Sequence, residues 1–257
     1  MGERTKHAPG TFSWADVSTT DQDGAKAFYT ALFGWEADDR PAGEGVTYSL
    51  MKKDGREVAA IAPQPQAQRD AGVPPLWNSY ITVDSADAAA ERVTAAGGTL
   101  HAPPFDVLDV GRMAVAQDPQ GAFFMVWEPR ATIGAQLVNA PGALAWNELA
   151  TPDLDASRAF YGQVFGWEMD AADNPMNYAM ITNGGRLNGG ARPPQEGEPP
   201  HWLVYFGTDD VDATLARARE LGGEVLAGPI EVGMGTLGIV RDPQGAVFAV
   251  FAGDFDE

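Results

Sequence analysis

Two carboxylates occupy matching places in a chain that is written twice. Asp16 follows Trp14 in Phe12-Ser13-Trp14-Ala15-Asp16, and Glu148 follows Trp146 in Leu144-Ala145-Trp146-Asn147-Glu148. Both stretches read as buried strands, where an unpaired charge is costly and a carboxyl group has a partner or a job. The partner would be backbone or a neighbouring amide such as Asn147. The job would be that of a general base whose pKa burial raises. His201 adds to the second copy, because its first-copy counterpart is Leu76. A His201–Glu148 pair could exchange protons with a substrate, although a histidine at a strand mouth beside Trp202 also serves as a surface or capping residue. Glu148, His201 and Asp16 are therefore the candidate catalytic residues. Cysteine is absent, which removes thiol nucleophiles, disulfides and thiolate metal sites. Neither a Gly-x-Ser-x-Gly elbow, nor a P-loop, nor a nucleotide-binding glycine motif is present. Gly184-Gly185 and Gly189-Gly190 fit a hairpin and close strand packing rather than phosphate binding.

The elements that must position these residues repeat as well. Phe28-Tyr29 matches Phe160-Tyr161, Phe33-Gly34-Trp35-Glu36 matches Phe165-Gly166-Trp167-Glu168, and Trp77 matches Trp202. Gly97-Gly98 matches Gly222-Gly223, and Asp118-Pro119-Gln120-Gly121 matches Asp242-Pro243-Gln244-Gly245. A repeat this long marks tandem domains rather than a solenoid. Within each copy, Pro-rich stretches (63–75 and 193–200) separate two half-units of the same order: strand, helix, short strands. Phe12 to Ser18 alternates as a strand with two different faces. Thr20 or Asp21 caps a helix whose Ala25, Phe28, Tyr29, Leu32 and Phe33 form one apolar stripe, and Gly34 stops it. Asp54-Gly55 turns one hairpin, and each Asp-Pro-Gln-Gly suits a type I turn. The expected architecture is α+β: four βαβββ-like units paired into two domains, at 1–128 and 144–257, joined by a linker at 129–143.

The Phe-Tyr…Phe-Gly-Trp helices and the Asp-Pro-Gln-Gly turns resemble the vicinal-oxygen-chelate superfamily of glyoxalase I, bleomycin-resistance proteins and extradiol dioxygenases. The resemblance covers essentially the whole chain and is strongest to two-domain actinobacterial proteins described as glyoxalase-like or as hydroxylases. It implies that each pair of units folds into a cupped mixed sheet, with helices outside and a metal and substrate on the concave face. The family's three ligand positions correspond here to Trp14, Asn78 and Met125, and in the second copy to Trp146, Leu203 and Ala249. None of these sets suits a hard metal. No metal and no cofactor are therefore expected. On the same faces strand parity places Tyr80 and Tyr205, and Tyr48 and Tyr178 are read as matching central-strand positions. Trp14, Tyr48, Asn78, Tyr80, Met125, Trp146, Tyr178, Trp202 and Tyr205 are the expected ligand-binding residues, an aromatic lining suited to a flat organic molecule. The same aromatics would also serve simply as the core of a twisted sheet.

The chain has 257 residues and a formal charge of −19, from 36 acidic and 17 basic side chains. That charge argues against nucleic acid and against an anionic membrane surface as partners. No apolar run approaches the ~20 residues that span a bilayer. The polar start leads straight into the first repeat, so no signal peptide and a cytoplasmic location are expected. The expected partner is a small-molecule ligand or substrate, and the expected state is a monomer or weak homodimer. Three functions remain open: a metal-independent enzyme using carboxylate acid/base chemistry, a sequestering protein like the antibiotic-resistance branch, and a metal enzyme with displaced ligands.

Overall fold

The computed structural model describes residues 2–43, 45–172, 174 and 177–254. The first copy runs β1 (Phe12–Thr19), α1 (Gln22–Phe33), β2 (Glu36–Pro41), β3 (Thr47–Lys53) and β4 (Arg56–Pro63). A short α2 (Gln66–Asp70) leads to β5 (Leu76–Thr82), α3 (Ala86–Ala95), β6 (Thr99–Val107), β7 (Gly111–Gln117) and β8 (Phe123–Pro129). The second copy runs β9 (Leu144–Ala150), α4 (Leu154–Phe165), β10 (Glu168–Met169), β11 (Ala179–Asn183) and β12 (Arg186–Arg192). It ends with β13 (His201–Gly207), α5 (Val211–Glu220), β14 (Glu224–Val232), β15 (Gly235–Arg241) and β16 (Val247–Gly253). Each copy makes one 8-stranded mixed sheet, in the orders β2-β3-β4-β1-β5-β8-β7-β6 and β10-β11-β12-β9-β13-β16-β15-β14. Within a unit the first and last strands are parallel neighbours, and the two units of a sheet meet where β1 and β9 run antiparallel to β5 and β13.

Local chemistry sets the helices. Asp21 accepts from the Gly24 amide at 3.0 Å, choosing between the two candidate caps. Gly34 ends the helix at φ 69°, the left-handed conformation that glycine adopts without a side-chain clash. Asp153 and Gly166 repeat both features for α4. Ala25, Phe28, Tyr29 and Phe33 are buried as the stripe requires.

The two sheets meet on the faces that carry the helices. Tyr29 donates to Asp242 of the other domain at 2.8 Å, and Tyr161 donates to Asp118 at 2.9 Å. Trp77 and Trp202 donate to the same two phenol oxygens, each at 2.9 Å. Trp35 reaches the carbonyl of Gly142, and Trp167 that of Gly10, both at 2.7 Å. Ser79 donates to Asn147 at 2.6 Å between the central strands. Around these bonds Phe33 packs on Phe206 and Tyr29 on Phe248, with Phe124 on Tyr161 in the reciprocal position. The best-matched parts of the repeat thus build the contact between the domains. Two expectations change here. Trp202 lies on this buried interdomain face, not on the face of Leu203 and Tyr205, because its strand parity is opposite to theirs. Asn147 likewise points away from Glu148 and serves Ser79.

Candidate functional site

The opposite face of each sheet gathers the remaining candidates. In the first domain, β1 presents Trp14 and Asp16 while Ala15 and Val17 are buried beneath. Asp16 accepts from Asn78 at 2.8 Å, Tyr48 at 2.9 Å and Tyr80 at 2.7 Å, and Tyr48 in turn accepts from Trp14 at 2.9 Å. Register explains the convergence: Trp14 pairs with Tyr80, Asp16 with Asn78, and Tyr80 with Met125. Tyr48 comes from β3, next to the edge strand β2, rather than from a central strand. Burial raises the Asp16 pKa, against three hydrogen bonds that lower it. Burial, followed by the Asp16 charge, pushes Tyr48 and Tyr80 well above the usual phenol range, so both remain donors.

The second face repeats this plan with a charge added. Trp146 donates to Tyr178 at 2.9 Å, as Trp14 does to Tyr48. Tyr178, just ahead of β11, and Tyr205 face Glu148, and burial followed by the Glu148 charge raises both phenols. Gly190 is needed here, since a Cβ would lie 1.9 Å from the Tyr178 hydroxyl. Arg192, which no sequence argument identified, donates from Nε to Glu148 Oε1 at 2.7 Å. Its two terminal nitrogens grip both oxygens of Glu198, each at 2.7 Å. The Glu198 contact leads the causes that hold the guanidinium pKa above its ordinary value. Burial works to raise Glu198, yet Arg192 and the Gln195 amide leave it below the usual carboxylate range. His201 does not touch Glu148. Its Nδ1 lies 2.9 Å from the Pro199 carbonyl and its Nε2 lies 3.8 Å from Glu198, so Arg192 and Glu198 stand between the expected pair. The missed signal was a difference between the copies, because register aligns Arg192 with Ala62.

Exposure separates the two faces. Trp14 and Trp127 are 8% and 7% exposed, with the Trp127 indole tied to the Thr132 carbonyl of the linker. Their counterparts Trp146 and Phe251 are half-buried, on an apolar floor with Leu203, Tyr205, Leu237, Ile239 and Ala249. A cleft of about 460 Å³ elsewhere, between the N-terminal segment and the linker, is lined by Arg4, Arg56, Glu57 and Thr132 and holds none of the candidate residues.

The glyoxalase/bleomycin resistance protein/dioxygenase superfamily model matches residues 11–126 and again 143–250. The chain belongs to this superfamily. It is 45% identical to "Putative glyoxylase CFP32" of Mycobacterium tuberculosis over 256 residues, covering 97% of both proteins. It is 36% identical to the anthracycline biosynthesis protein DnrV of Streptomyces peucetius over 274 residues, covering 96% of this chain and 94% of the relative. In fold it is similar to the Mn(II)-bound glyoxalase of Novosphingobium aromaticivorans, with TM-score 0.67, 20% identity, and coverage of 97% of this chain and 85% of that one.

The superfamily implies a metal on the concave face, and the residues present do not fit one. In the first domain Trp14 and Asn78 point hydrogens, not lone pairs, toward Tyr48 and Asp16, and Met125 offers a thioether. In the second, Leu203 and Ala249 carry no donor atom. Among the described residues no group of three His, Asp or Glu side chains is placed to hold a metal ion.

Proposed function

We propose that the protein is a metal-independent enzyme that takes a small planar organic molecule on the second concave face, with Glu148 as its proton acceptor. The observation that carries this reading is a buried carboxylate, ion-paired to Arg192 and faced by two phenols, on an otherwise apolar and half-open floor. Arg192 is a positioning residue that holds Glu148 through one oxygen. Tyr178 and Tyr205 stay protonated, because burial and the adjacent charge raise both. That set supports proton abstraction beside a carbonyl. Glu148 takes the carbon-bound proton while a phenol donates a hydrogen bond to the oxygen on which charge develops. Isomerisation, elimination and cyclisation can all proceed through such a step. DnrV, a relative covering nearly the whole chain, is an anthracycline biosynthesis protein, and the aromatic part of an anthracycline is flat, which supports a planar substrate.

Deuterium incorporation from D2O into bicyclic ketones, 2-tetralone first, tests the reading by NMR. Glu148→Gln keeps the shape and loses the base, so exchange is expected to fall about 100-fold or more while ligand quenching of Trp fluorescence persists. Unchanged exchange in this variant would remove Glu148 as the base. A second reading, sequestration without turnover, is favoured by the saturation of Arg192 between two carboxylates. It predicts quenching with no exchange above buffer in the wild type.

A further inference from the structure

Among the described residues, the second face carries a row of ionisable side chains that the first face lacks. Side-chain exposure rises along it, from 8% at Glu148 to 16% at Arg192, 19% at Glu198 and 35% at His201. The row therefore runs from the floor to solvent. Arg192 is its only cation of fixed charge, and the first domain has Ala62 in that place. Glu198 belongs to neither neighbouring strand. It sits in the connection 193–200, which begins and ends with paired prolines and is held to itself by the bond between the Glu198 amide and the Gln195 carbonyl. The first-domain connection is different: it contains α2, and its buried Gln64 binds the Val73 and Pro74 carbonyls with no acid turned to the concave face.

Arg192 thus presents a planar fork at the edge of an apolar floor, and a carboxylate from a loop occupies its two terminal nitrogens in the end-on geometry that guanidinium offers to any carboxylate. We propose that the second face selects planar molecules carrying a carboxylate, and that Glu198 holds Arg192's fork until the ligand's carboxylate exchanges with it. The inference rests on reading this face as the ligand site. The exchange is one anion for another, so Arg192 and Glu148 keep their pairing throughout and no buried charge is left alone. In a chain of net charge −19, local recognition of this kind is what an anionic ligand needs, since the overall field repels it. The exchange also weakens binding in the wild type, because only the fraction with the fork open is competent.

Calorimetric titration of the full chain with 2-naphthoate and with 2-naphthamide tests both parts. The two probes share a ring system and differ in charge. In Glu198→Gln the internal competitor is gone, and 2-naphthoate should bind about tenfold more tightly while 2-naphthamide changes less than about twofold. Glu196→Gln removes one charge from an exposed side chain of the same loop and should leave both affinities alone. Arg192→Lys keeps the charge for Glu148 and loses the fork, and should erase the preference for 2-naphthoate. Equal binding of the two probes in all four proteins would overturn the carboxylate selection and leave the planar-ligand face standing. An equal gain from Glu196→Gln would reduce the effect to general repulsion and overturn the exchange. Binding of neither probe by any of the proteins would overturn the ligand face and this inference with it.

Discussion

At the residue scale the two domains solve one problem in two ways. Each buries a carboxylate at the same strand position, and each surrounds it with a phenol from either side. Asp16 has neutral donors only, Tyr48, Tyr80 and Asn78, whereas Glu148 has a guanidinium. Asp16 therefore carries a pH-dependent contribution to stability. Its folded pKa is raised by burial, so over the window above the unfolded carboxylate value the native state keeps a proton that the unfolded chain has lost. Its contribution to stability is complete below that value, near pH 4, and is lost as pH climbs through the folded pKa. Urea unfolding of wild type and Asp16→Asn across a pH series should show the wild type losing stability relative to the variant as pH rises from about 4 toward neutrality. A difference that moves the other way would mean that the three hydrogen bonds outweigh burial. The positions of both carboxylates were legible in the sequence, because strand parity is a rule of the chain. Their partners were not. Arg192 comes from a strand whose counterpart carries alanine, and Glu198 comes from a proline-bounded loop that has no periodicity to read.

At the element scale the repeated motifs have a common purpose. The Phe-Tyr helix of each domain reaches the Asp-Pro-Gln-Gly turn of the other, and each Phe-Gly-Trp tryptophan caps the chain entering the other's first strand. Asp118 and Asp242 are also held by three amides of their own turns, so the turn and the interface share one carboxylate. Removing the Tyr29 hydroxyl in Tyr29→Phe leaves Asp242 Oδ2 buried without its donor. The expected cost is about 1.5–3 kcal/mol in urea unfolding, with ligand binding at the second face unchanged. A cost near zero would show that the bond is exchanged for water. Helices and turns were readable from capping residues, glycines and alternation, whereas the order of strands within each sheet was not. What the repeat meant was only half readable. Agreement between the copies marked scaffold, but strand parity was needed to see that Trp77 and Trp202 serve the interface, and the Trp202 expectation failed on that point. The linker shows the same limit: its cover over the Trp127 end of the first face depends on a path through space that composition does not encode.

At the scale of the whole molecule, the interface makes the two domains one folding unit. Tyr29, Phe33 and Trp35 are buried against Phe206 and Phe248 of the other domain, so either half alone would expose an aromatic face. Residues 1–142 and 143–257 expressed separately should each lack a cooperative unfolding transition and the elution volume of a compact monomer, and mixing them should restore both. Two independently cooperative halves would contradict this. Duplication then explains why one face can be closed and structural while the other stays open. With two carboxylate floors in one chain, Trp14 can be buried and Trp127 tied to the linker on the first face without cost to the proposed site at Glu148. On the proposed reading this superfamily member works without the superfamily's metal, since indole, amide, thioether and aliphatic side chains stand where the ligands would. Metal analysis by mass spectrometry of the full chain, purified without chelator, tests that claim most directly. Fewer than about one metal ion per ten chains is expected. A stoichiometric manganese, iron, nickel or zinc that survives dialysis would contradict it.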